Sequence, residues 1–215
     1  MDDAEISFQA EAIVEVAEHV SPDASVALIG HSYGGAVAIK AAERFASLGR
    51  PIESLCLFEA NATYLLPEEQ SGEGPIRTEW SAMVDIGTRG DEGGAEIMAK
   101  GVTEFWNSEI RWESLPPDAR SKIKSALQRS LAFELQTLFN EERNGSELLR
   151  FLKELSAPKH FIHGMAGTAP MINDLAALLE QEAGFVRHAM AGVDHMGPIT
   201  SHESVAKLIA ECARL

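Results

Sequence analysis

Gly30-His31-Ser32-Tyr33-Gly34 sets a serine hydroxyl between glycines two positions away on either side. A G-x-S-x-G run of this kind places the serine on a strained turn from strand to helix, with its Oγ held clear of the backbone as a nucleophile. The glycines have a steric reason: a larger side chain at 30 or 34 is expected to collide with the neighbouring backbone as the turn tightens, and Gly35 and Ala36 extend the close packing. The backbone N–H of Tyr33, at the start of the helix, is the expected donor to a developing oxyanion, where the helix dipole adds to the hydrogen bond. Five residues with three fixed also fit a plain glycine-rich connection. An apolar strand before the motif and a helix after it favour the chemical reading.

A serine hydroxyl needs a base at neutral pH. Seven histidines are available, and their settings separate them. His195 lies in the loop Ala191-Gly192-Val193-Asp194-His195-Met196-Gly197-Pro198 after the last apolar run, at the sheet edge that carries the serine turn. It is the expected base. His31 is expected to pack beneath the turn and His163 to hold a structural place beside the site, while His19, His160, His188 and His202 read as surface or turn residues.

The third group required is a carboxylate that orients the imidazole. His163-Gly164-Met165-Ala166-Gly167-Thr168, after the third apolar run, offers no acid, and Asp174 falls inside a helical stretch. Glu59 directly follows the second run, in Leu57-Phe58-Glu59-Ala60-Asn61, and is the first choice. A loop carboxylate bonding nearby backbone is the alternative reading of Glu59. Asp194, adjacent to His195, ranks a distant second because neighbours in sequence face each other awkwardly.

These residues must be positioned by an α/β framework. Apolar positions at helical spacing (Ile6, Ala10, Ile13, Val14, Ala17) predict a helix over 3–19, ended by Ser21-Pro22-Asp23. Short apolar runs at 25–29, 54–58, 159–162 and 185–190 predict strands, each followed by helix, and therefore a parallel sheet covered on both faces. Residues 67–155 show helical spacing around Phe105, Leu127, Leu131, Leu138 and Leu148, with glycine-rich loops at 72–74 and 90–94. The expected organisation is a core of residues 1–66 and 156–215 interrupted by a helical insertion over 67–155.

Composition bounds the partners. The chain has 215 residues, 45% of them hydrophobic, enough for one domain with a packed core. A net charge of −15 opposes binding to nucleic acid, whose phosphates would be repelled. The first residues are acidic where a signal peptide is basic, and no apolar stretch reaches the ~18 residues of a membrane span. Two cysteines, Cys56 and Cys212, indicate neither a disulfide framework nor a zinc pattern. A small-molecule substrate, no metal or organic cofactor and a cytoplasmic location are the expectations.

From Ser25 onward the chain resembles the α/β-hydrolase family, in its cap-bearing, esterase-like branch. Gly-His-Ser-Tyr-Gly-Gly around Ser32 and Asp194-His195-Met196-Gly197-Pro198-Ile199-Thr200 carry the resemblance, and the order Ser, acid, His is the family's. It implies a partial α/β-hydrolase fold, an acyl-enzyme at Ser32 and a cap over the pocket, with Trp80, Phe105, Trp106 and Trp112 as cap residues serving mainly its apolar packing. Some members place the acid after the strand that follows the serine helix, as Glu59 would be. Asp194 departs from the glycine usual before the histidine. The family also carries further strands ahead of the serine turn, so the resemblance implies an open edge at 25–29, a route to homo-oligomers, and one absent oxyanion donor, a loss worth roughly 10² to 10³ in rate. A binding or interaction relative without turnover, or an N-terminally truncated and inactive hydrolase, is the competing expectation.

Overall fold

In the computed structural model, which describes residues 4–66, 92–106, 110–127, 145–167 and 169–213, the four apolar runs form one parallel sheet. The strands are β1 (Val26–His31), β2 (Ile52–Phe58), β3 (Lys159–Gly164) and β4 (Val186–Met190), in the spatial order β1-β2-β3-β4. Gly30 lies opposite Leu57, Phe58 opposite both His31 and Ile162, and Gly164 opposite Met190. The strand ends that precede Ser32, Glu59 and the histidine loop are thereby brought side by side.

Among the described residues the helices, in chain order, are α1 (Ala4–Val20), α2 (Tyr33–Ser47), α3 (Glu92–Trp106), α4 (117–127), α5 (Gly145–Glu154), α6 (Pro170–Ala183), the single turn α7 (Gly197–Thr200) and α8 (His202–Ala213). On one face of the sheet α2 packs on β1 and β2, and α6 on β3 and β4, with α1 and α5 against α2. On the other, α8 crosses β1 and β2. Strand β2 shows why the central runs are continuously apolar: Leu55 and Leu57 enter the core beneath α2, while Cys56 and Phe58 enter a second, smaller core with Ile162, Val193, Val205 and Cys212. Fully burying one such leucine contributes about 1.5–3 kcal/mol.

Among the described residues β1 and β4 are the sheet's edges, and Ile29 on β1 is 45% exposed. No helix among them is long and apolar enough to cross a membrane. The described parts of 67–155 contain no strand. Its final helix, α5, packs against α2 and α6, and Lys159 holds its end by donating to the carbonyls of Leu152 and Leu155 at 2.9 and 2.6 Å. The glycine-rich loop expected at 90–94 is corrected in part: Gly93 and Gly94 belong to the first turn of α3, where a glycine costs the helix less than in its interior. Trp80, Leu131, Leu138 and the loop expected at 72–74 lie outside the described residues.

Candidate active site

Ser32 stands between β1 and α2 with φ 53° and ψ −126°, a conformation L-residues rarely adopt. Strain of this kind costs of order 1–3 kcal/mol. Three backbone hydrogen bonds at ~1 kcal/mol each offset it: the Ser32 N–H donates to the Phe58 carbonyl at 3.1 Å, and the Ser32 carbonyl accepts from the N–H groups of Gly35 and Asn61, each at 2.9 Å. The turn is thus clamped by its own helix and by the end of β2.

Two glycines permit the clamp. A Cβ at Gly30 would lie 2.5 Å from the Gly34 carbonyl oxygen, and one at Gly35 would meet Ala60, 2.7 Å from its Cα. The steric expectation for Gly34 is corrected: a Cβ there meets nothing within 4 Å, because position 34 faces outward from the turn. The crowded position is 35, where α2 passes the chain leaving β2.

Glu59 also has positive φ, 40°, and is wholly buried. Its N–H donates to the Ile162 carbonyl at 2.8 Å. Its carboxylate accepts from the Gly164 N–H on Oε1 at 2.7 Å and from His195 Nδ1–H on Oε2 at 2.8 Å, hydrogen bonds that offset the cost of burying the group. A carboxylate only accepts, so Nδ1 carries a proton, and in the neutral ring the lone pair is then on Nε2. That Nε2 is 3.1 Å from Ser32 Oγ. The structure therefore joins Glu59, His195 and Ser32, the three residues singled out in the sequence, in one line of hydrogen bonds.

Around this line the surroundings are specific. His195 is 5% exposed, and the Trp106 indole from α3 lies over its imidazole, with ring centroids 4.1 Å apart and planes 19° from parallel. His31 packs edge-on against Phe58, as expected beneath the turn, and donates from Nε2 to the His195 carbonyl at 2.9 Å. Burial, and next the nearby His195, push the His31 imidazole below the ordinary histidine range. His163 is buried beside Gly164 and accepts from Arg187 Nε at 2.9 Å; burial lowers it too. Asp194 Oδ1 accepts from the Met196 N–H at 2.9 Å and the Thr200 hydroxyl at 3.4 Å, which ties down the α7 turn beyond His195.

Asp174 is exposed on α6, and His19 and His202 are exposed on helices. His160 and His188 correct the surface-or-turn reading: they lie half-buried on β3 and β4. Trp112 is buried and donates from its indole to Glu96 at 3.4 Å. The contact of Trp106 with His195 was not expected from sequence, since helical spacing identifies an apolar position on α3 without saying which ring it meets across the fold.

A family model for the thioesterase domain matches residues 5–99, somewhat under half of the chain. No curated protein matches the sequence significantly. Among solved structures, an esterase from Thermogutta terrifontis is 18% identical, with a TM-score of 0.65 over 97% of this chain and 72% of its own. An esterase from Exiguobacterium antarcticum is 16% identical, with a TM-score of 0.67 over 98% of this chain and 74% of its own. MenH from S. aureus is 18% identical, with a TM-score of 0.63 over 97% and 75%. At these identities the likeness is one of fold.

Proposed function

Because this chain has the α/β-hydrolase fold, we propose that it is a serine hydrolase of small esters or thioesters, with Ser32 as nucleophile, His195 as general base and Glu59 as the acid that orients it. The observation that carries the reading is the line Glu59 Oε2, His195 Nδ1, His195 Nε2, Ser32 Oγ, with steps of 2.8 and 3.1 Å across the ring.

Ser32 Oγ attacks the acyl carbonyl carbon while its proton passes to His195 Nε2, and the imidazolium forms with its charge facing Glu59. The Tyr33 N–H, at the start of α2, is the proposed donor to the oxyanion. Collapse expels the alcohol or thiol, which takes the proton from His195. Water then attacks the acyl-enzyme, gives a proton to the same nitrogen, and the released Ser32 oxygen recovers it. Residues 67–155, apart from α5, are proposed as the cap over this site, a reading supported by the position of Trp106. The thioesterase model over residues 5–99 and the esterases of similar fold support an acyl substrate.

The test is hydrolysis of p-nitrophenyl acetate and butyrate and of a short acyl thioester by the purified chain. Ser32→Ala and His195→Ala should each lower kcat by at least about 10³-fold, and Glu59→Gln by on the order of 10⁴-fold if it sets the tautomer as proposed. Labelling by a serine-directed phosphonate should disappear in Ser32→Ala. Folded protein that neither turns over these substrates nor takes the label would overturn the proposal in favour of a binding role.

A further inference from the structure

On the sheet face opposite α2, three ligand-bearing side chains from separate elements converge: His160 from β3, His188 from β4 and Cys212 from α8. His160 Nδ1 is 3.1 Å from His188 Nε2, and that nitrogen is 3.6 Å from the Cys212 sulfur; all three atoms lie within 4.8 Å of one another. None belongs to the line that ends at Ser32. We infer that His160, His188 and Cys212 form a binding site for one zinc ion.

The spacing is that of a tetrahedral centre. Bonds of about 2.0 Å to imidazole and about 2.3 Å to thiolate set ligand edges of roughly 3.3 Å between two nitrogens and roughly 3.6 Å between nitrogen and sulfur. The two edges that include His188 already have these lengths to within a few tenths of an ångström. The third, between His160 and Cys212, needs a movement of at most on the order of 1 Å. Two imidazoles and one thiolate suit zinc better than magnesium or calcium, which prefer oxygen.

The surroundings fit as well. Both histidines are half-buried, so a hydrated ion can reach them, while Cys212 is buried and fixed on α8. Cys56, opposite His160 in the register of β2 and β3, is wholly buried in the same small core as Cys212. Binding exchanges the Cys212 thiol proton for the metal and releases it to solvent. Water completes the fourth position.

The test is titration of untagged, chelator-treated protein with Co²⁺ as a spectroscopic stand-in, then displacement by Zn²⁺. One equivalent should give tetrahedral d–d bands with a sulfur-to-cobalt charge-transfer band, and Zn²⁺ should abolish both and raise the melting midpoint. Cys212→Ser should remove the charge-transfer band, and His188→Gln should weaken binding at least about 100-fold. Ser32→Ala should bind unchanged. Should Cys212→Ser fail to fold, His160→Gln and His188→Gln, both at half-buried positions, carry the test. Absence of the charge-transfer band in wild type, or binding unaltered in the histidine variants, would leave these residues merely hydrogen-bonded to each other and overturn the inference.

Discussion

The Trp106 indole lies nearly parallel to the His195 imidazole at a centroid distance of 4.1 Å, stacked on the ring whose edge nitrogens meet Glu59 and Ser32. An aromatic face stabilises a cation above it by about 0.5–2 kcal/mol. If His195 becomes an imidazolium during turnover, Trp106→Leu should lower kcat by roughly 2- to 30-fold with KM little changed. Trp106→Phe, which keeps a π-face, should fall between leucine and wild type. Steady-state kinetics on p-nitrophenyl butyrate decide it; a change confined to KM would make Trp106 a pocket wall only.

The three glycines of the serine turn should separate by stability. A methyl at 30 or 35 runs into backbone, so Gly30→Ala and Gly35→Ala should each destabilise the fold by about 1–3 kcal/mol. Gly34→Ala adds its methyl in open space within α2 and should be neutral or stabilise by up to about 1 kcal/mol through helix propensity. Urea unfolding midpoints at equal m-value measure the contrast. Equal losses at 30 and 34 would contradict it.

Acid should weaken the fold through two histidines held away from water, His163 buried and His31 half-buried. His31 and His163 both sit below their unfolded value of 6.5 in the folded chain, chiefly because burial disfavours the charged ring. The unfolded chain therefore binds more protons just below that value, and stability falls as pH drops through 6.5 towards the folded values, where the loss levels off. Above 6.5 these rings contribute no pH dependence. Unfolding free energies between pH 5 and 8 should show this slope, and His163→Gln should flatten it.

The strands were legible because a strand buried on both faces must be apolar throughout, and Leu55-Cys56-Leu57-Phe58 can be nothing else without exposing two cores. The nearness of Ser32, Glu59 and His195 followed from topology, since parallel strands deliver their following loops to one edge. What could not be read was contact across long separations. His160 and His188 are 28 residues apart and Cys212 lies on the last described helix, and no local spacing announces that a sheet face collects them. Gly34 misled for a related reason: two flanking glycines look symmetrical in a motif, but the turn is not, and the tight approach falls on Gly30 and Gly35. Asp194, by contrast, acts on its near neighbours Met196 and Thr200, a role set by adjacency.

Glu59 ties the end of β2 to the end of β3 through the Gly164 N–H, while the chain between them makes the fold's longest detour. Both ends of that detour are fastened by the sheet and by one carboxylate, so the strand ends that carry Glu59 and Gly164 are joined directly to each other. On the proposed reading, selectivity would be written in the detour and reactivity at the strand ends. Exchanging the proposed covering segment between Leu66 and Gly145 for another would then be closer to changing a tool's handle than its blade.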